Sequence, residues 1–249
     1  MKKYELTAEF IEKWGKKLFR IKALTSFGSV EAGELGGYVE KEDNLAQDGD
    51  AWVYGDARVC DNAEVYGDAR VCGNAEVYGD AEVYGNARVY GDARVCDNAR
   101  VYGDARVYGD ARVYDNARVY GDARVYDNAR VYGDARVCDN AEVYGDAEVC
   151  GDARVCGNAE VCGNADYLLI GRIGSRFSFT TFFKNKDKGI TVSCGCFLGT
   201  IAEFRAKVTD THGNNKHAKM YNLAADMAEL QILGEEHFDK LNTNKSEPF

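Results

Sequence analysis

Cys194-Gly195-Cys196 is followed by His212 and His217. Two thiols and two imidazoles, spaced C-x-C-x15-H-x4-H, are the donor types of a structural zinc site. The histidine pair has zinc-like spacing. The cysteine pair is tighter than the usual two to four intervening residues. On a strand Cys194 and Cys196 point to one side, so they share an ion only if Gly195 permits a turn-like approach. A Cys196–His212 nucleophile pair is a second chemistry, without a third group to orient it. The plainest alternative makes both thiols small buried hairpin residues, with His212 at a helix end and His217 in solvent. Guanidinium and phenol groups are the other abundant chemistry, and they recur inside a repeat. Arg and Tyr are favoured at protein-interaction hot spots.

These groups must be positioned by the elements that carry them. Val recurs every sixth residue from Val53 to Val161, at 19 positions. Ala precedes each Val by two, as in Ala57-Arg58-Val59. The unit reads Ala, Arg or Glu, Val, Tyr or Cys, then Gly-Asp, Gly-Asn or Asp-Asn. In an extended segment Ala and Val share one side, and Arg/Glu and Tyr/Cys the other. The Gly, Asp and Asn residues tolerate the tight turn that ends each segment. A period of six does not track 3.6, and Gly recurs throughout, so a helix is excluded. One hexad cannot bury its Ala-Val side alone, but stacked coils can. Residues 51–165 are therefore predicted to form a mainly-β solenoid.

An aliphatic residue followed four positions later by a small one, repeated every six as in Val53-Tyr54-Gly55-Asp56-Ala57, resembles the hexapeptide-repeat left-handed β-helix. The resemblance implies three hexads per coil and about six coils, hence a prism on the order of 30 Å long at the ordinary strand spacing. "LGGYVEKEDNLAQDGDAWVYGDA" and "VSCGCFLGTIAEFRAKVTDTHGNNKHAKMY" are also similar to segments of phage- and prophage-type bacterial proteins carrying such repeats. With that coil length, residues 18 apart stack. Tyr90, Tyr108, Tyr126 and Tyr144 form one column, and Tyr66, Tyr84, Tyr102 and Tyr120 another. The slot two residues earlier is Arg in every hexad from Arg88 to Arg136, with Glu intruding toward the ends. The candidate binding residues are Arg88, Arg106, Arg124, Tyr90, Tyr108 and Tyr126. Cross-strand Tyr contacts and Arg lying over Tyr rings are the structural account of the same belt.

Many hexapeptide-repeat proteins are acetyl-CoA-dependent acyltransferases, and this is the alternative reading. It needs a catalytic His near a coil corner. The three histidines, His212, His217 and His237, all follow the repeats, and no insertion breaks the register. Gly-Asp corners leave no general base of useful pKa. No catalytic residue and no cofactor is assigned.

Charge narrows the partners. Across residues 51–165, twelve Arg and no Lys stand against fifteen Asp and six Glu, a balance of −9 within a total of −10. Interleaved Asp removes the positive potential that nucleic acid requires. No apolar run approaches the length of a membrane span, and the N-terminus lacks a secretory leader pattern. Seven of the nine cysteines occupy the slot that Tyr also fills, which does not look like a disulfide framework. A reducing cytoplasm is the simpler setting.

The open ends of a solenoid need covering. Residues 1–50 are predicted to form an N-terminal cap, with "ELTAEFIEKW" as a short helix, "KLFRIKAL" as a strand, and Leu35–Val39 as a degenerate turn and strand. Trp52 is expected under that cap. Residues 166–249 are predicted as a ββαα unit. Its hairpin turns at 184–189, its first helix carries capping-box spacing at Thr200–Glu203 and ends at Gly213, and its second runs from about Lys216 to Leu233. Met220, Leu223, Ala224, Met227 and Ala228 are expected on the apolar side of that second helix. The reading as a whole is a cytoplasmic, non-enzymatic rigid scaffold or interaction module. It has a protein partner, no membrane or nucleic-acid partner, and homo-oligomerisation left open.

Overall fold

The computed structural model describes residues 2–236, so His237 lies outside the described residues. Each hexad folds as one two-residue strand and a corner. Nineteen such rungs run from β4 (Trp52–Val53) to β22 (Glu160–Val161). Three successive rungs make a coil, and every third rung pairs in parallel, so that Arg88 lies beside Arg106 and Val89 beside Val107. Below the last coil the backbone N–H of each rung donates to a carbonyl of the next coil, as Arg106 does to Ala123 at 2.9 Å; in the last coil Glu148 and Arg154 donate instead to the side chains of Asn164 and Thr181. Every Ala and Val of the rungs is fully buried, giving one continuous apolar column along the axis. This is the interior that a lone hexad lacks.

The solenoid has three faces. The first starts from β1 (Tyr4–Lys13), β2 (Lys16–Ala23) and β3 (Leu35–Val39), then climbs through the Arg58, Glu76, Arg94, Arg112, Arg130 and Glu148 rungs. The second climbs from β4 through the Arg70, Arg88, Arg106, Arg124 and Glu142 rungs to β22, and the third from Glu64 to Arg154. Two faces therefore hold seven parallel rungs rather than six, because β3 joins as the first rung through its pairing with Arg58–Val59. Close approach demands Gly at that entry. A Cβ on Gly37 would lie 2.5 Å from the Ala57 carbonyl oxygen.

The segment predicted as an N-terminal helix is β1. It pairs antiparallel with β2 across a two-residue Trp14-Gly15 turn with positive φ at both residues. Such a turn matches the twist of two paired strands, and that pairing decides the conformation. Trp52 is fully buried beneath this N-terminal segment, with its ring 6.0 Å from Tyr4 and 5.4 Å from Phe27.

At the other end, β23 (Tyr167–Ile173), β24 (Ser178–Lys184), β25 (Ile190–Cys194) and β26 (Phe197–Thr200) form an antiparallel meander. The sheet thus has two strands beyond the predicted hairpin. Alternation along β24 sends Phe183 into the solenoid column and its neighbour Phe182 into a second core with the helices. Those helices are α1 (Ile201–His212) and α2 (Lys216–Leu233). Thr200 and Glu203 form the capping box of α1, and Asn215 caps α2. The buried side of α2 is Ala218, Tyr221, Ala224, Ala225 and Ala228, while Met220, Leu223 and Met227 are exposed. The expected apolar side is therefore rotated. The small residues let α2 lie close to the sheet, and the larger apolar ones face out.

Candidate functional site

The second face places the candidate Arg and Tyr residues together. Arg70, Arg88, Arg106 and Arg124 occupy consecutive rungs of one parallel column. Two residues after each Arg, the outward slot holds Cys72, Tyr90, Tyr108 and Tyr126. The rings of Tyr90, Tyr108, Tyr126 and Tyr144 stack nearly parallel, with centroids 4.8, 4.9 and 5.0 Å apart. This spacing is the coil repeat itself, so the backbone sets the ladder. A shallow depression of about 470 Å³ runs beside Arg70, Arg88 and Arg106, between Tyr54 and Tyr90.

Carboxylates on all three faces, Glu142 at the end of this column, Glu148 on the first face and Glu82 on the third, show how an Arg-Tyr surface of this kind treats an anion. Glu142 accepts from the Tyr126 hydroxyl at 3.2 Å, from Arg124 at 3.5 Å and from Lys186 at 2.9 Å. Burial pushes the Glu142 carboxyl up, but Lys186, Tyr126 and Arg124 outweigh it and hold the group below its ordinary value. Glu148 accepts from Tyr132 and Arg130 in the same way, and Glu82 accepts from Tyr66 and forms an ion pair with Arg100. In each case Tyr sits 16 residues before the Glu, in the preceding coil. Burial first, and then Glu142, raise the Tyr126 phenol well above its usual range. Between the ends, no carboxylate lies within 4.0 Å of the guanidinium of Arg70, Arg88 or Arg106 among the described residues. The Arg-Tyr column is thus satisfied at its upper end and open in its middle.

The family model of the YdcK beta solenoid repeat matches here. It covers residues 81–97, 93–109, 105–121, 111–125 and 123–139, all within the rungs that carry the Arg-Tyr column. The match and the parallel rungs make this a repeat β-helix protein, which fixes the architecture and not the activity. No curated protein matches the chain.

The Cys and His candidates are distributed differently. The Cys194 Sγ accepts from the Thr180 hydroxyl at 3.2 Å, and Cys194 shares a cavity of about 200 Å³ with Arg176, Lys207, His212 and Tyr221. No solenoid residue lines that cavity. Cys196 is exposed and lines a separate cavity of about 90 Å³ with Asp139, Arg154 and Cys156. The His212 ring stands 5.8 Å from His217 and 5.7 Å from Tyr221, and His217 Nδ1 is buried without a partner. Among the described residues, the cluster of three donors within 4.8 Å of one another is Cys138, Asp139 and Cys156. Cys194, Cys196, His212 and His217 form no such cluster there, because Cys196 turns toward the solenoid while the histidines pack with the helices.

Cys138 and Cys156 form a disulfide on the third face. This corrects the expectation that the repeat cysteines stay unpaired. They are 18 residues apart, which is one coil, so the fold stacks them with a Cα separation of 4.6 Å. The remaining described cysteines are free thiols, and burial pushes Cys60 up to about 12. No described helix is long and apolar enough to cross a membrane.

Proposed function

We propose that the protein is a non-enzymatic rigid scaffold that engages a protein partner through the second face, with Arg88, Arg106, Arg124, Tyr90, Tyr108 and Tyr126 as the contacts. The observation that carries this reading is the open middle of the Arg column beside a ladder of stacked Tyr rings. Arg and Tyr lose little on being fixed there, because neighbouring coils already order them. Left-handed winding, kinship with the hexapeptide repeats, a phage-associated setting and a cytoplasmic location belong to the same proposal. So does the division into a cap at 1–50, a solenoid at 51–165 and a C-terminal unit at 166–249. In a reducing cytoplasm Cys138 and Cys156 are two stacked thiols that join on oxidation.

The test is capture from host lysate by the intact protein and by a variant with Arg106, Arg124, Tyr108 and Tyr126 all replaced by Ser. A species held by the first and lost by the second, at an unchanged melting midpoint, supports the face. Equal capture moves the contact elsewhere. Calorimetry with acetyl-CoA tests the acyltransferase alternative, and measurable binding there overturns the scaffold.

A further inference from the structure

The repeat distance of the second face selects what can lie along it. Its rings recur every 4.8 to 5.0 Å. An α-helix laid along the axis offers one side chain per turn about every 5.4 Å, and an extended strand one per two residues about every 6.8 Å. Either falls out of phase over a few coils. Another stack of in-register parallel strands shares the period and keeps phase over any number of coils.

This chain is such a stack, and it carries the matching charge. Arg88 and Arg106 are exposed in the open part of the column. Asp92 and Asp110 are exposed on the corners that end the same two rungs. Each rung thus presents a cation and, four residues on, an anion. The chain's own Glu142, Glu148 and Glu82 show that a carboxylate over this kind of surface is taken up by Tyr and Arg together.

Resting on the reading of the second face as an interaction surface, we propose that its partner is a second copy of this chain. The two copies meet face to face about a two-fold axis parallel to the solenoid, which lays the Arg row of each copy over the Asp row of the other. Arg88 and Arg106 of each copy then oppose Asp92 and Asp110 of the other. The contact is isologous, with the same patch used on both sides. The Tyr ladders of the two copies fill the strip between the charge rows.

Sedimentation of the full chain over a range of concentration and salt tests this. The expected result is a dimer that dissociates as salt rises. R88D/R106D carries only acids on the patch and D92R/D110R only arginines. Each alone is expected to self-associate at least about a hundredfold more weakly, because like charges then oppose each other. Mixing the two variants restores a dimer, since each supplies the charge that the other lacks. The mixture also shows that both variants are folded. A wild-type monomer at all concentrations, a dimer that neither variant weakens, or a mixture that stays monomeric overturns the proposal. The lysate capture described above is read separately, so a monomeric protein that still loses a captured species in the Ser variant keeps the face and discards the second copy.

Discussion

The Oδ2 of Asp115 accepts the backbone N–H of Gly133, one coil on, at 3.0 Å. Asp115 has a φ of 59°, in the left-handed region. The other Asp-Asn corners repeat the arrangement: Asp61, Asp97, Asp127 and Asp139 also have positive φ, and each accepts from the residue 18 further on. Gly takes this position at most other corners without strain. Asp offsets its strain with a hydrogen bond between coils. Asp115→Ala keeps the strain and removes the bond, so it is expected to destabilise by about 1–3 kcal/mol. Asp115→Gly is expected to cost less. Thermal melts of the two variants check the order, and an Ala variant as stable as the Gly variant would remove the role given to the carboxylate.

The apolar column is continuous, so one unpaired charge inside it has nowhere to go. Val113 is fully buried. Val113→Asp buries a carboxylate with no partner, at a cost of several kcal/mol. Loss of the cooperative melting transition by circular dichroism is expected. An unchanged midpoint would place Val113 outside the column.

Alkaline pH should unmake the Tyr columns. Burial first, then neighbouring Glu carboxylates, raise Tyr66 and Tyr126 above their ordinary value, while the Glu160 hydrogen bond comes first for Tyr144. An acid whose folded pKa is raised stays protonated when the unfolded chain has already ionised. The stability it contributes is complete below the unfolded value, near 10, and is lost as pH climbs toward the folded one. The melting midpoint is expected to fall above about pH 10, with phenolate absorbance appearing later than in the denatured chain. Phenolate growth at the free-tyrosine pH would contradict the shifts.

Metal analysis decides the Cys194–His217 question. Protein purified without chelator is expected to be metal-free and folded. Stoichiometric zinc that disappears in Cys196→Ser would establish the site instead.

The stacked thiols give a covalent readout of coil length. Peptide mapping without reductant is expected to recover Cys138 joined to Cys156. When thiols are blocked at the moment of lysis, the two peptides are expected apart. A cross-link that survives such blocking would argue against a reducing compartment.

Much of the fold was legible because the hexad repeats one decision nineteen times. Ala and Val had to face inward, and the 18-residue coil then fixed which Tyr residues stack. The same arithmetic reaches Cys138 and Cys156, but an alternative residue in a Tyr slot reads as interchangeable until the coil brings two of them together. The carboxylate contacts of Tyr126 and Tyr132 were hidden because they lie 16 residues apart, across two coils rather than along one column. The strand β1 escaped because its burial follows no clean alternation and its partner, not its own composition, decides it. The face of α2 was misjudged by ranking Met and Leu above Ala, whereas contact with the sheet at close range favours Ala224, Ala225 and Ala228.

Trp52–Val53 and Glu160–Val161, the first and last rungs, lie on one face, six full turns apart. The N-terminal strands and the C-terminal sheet and helices therefore sit at a fixed relative azimuth, which the hexad count modulo three determines. Adding one coil of 18 residues would move the two ends apart by one strand spacing, about 4.8 Å, without rotation. Adding a single hexad would leave every Val inside and every Arg outside, yet swing the helical end about the axis by a third of a revolution. Distance and bearing between the two ends are thus separately adjustable by units that the core cannot tell apart.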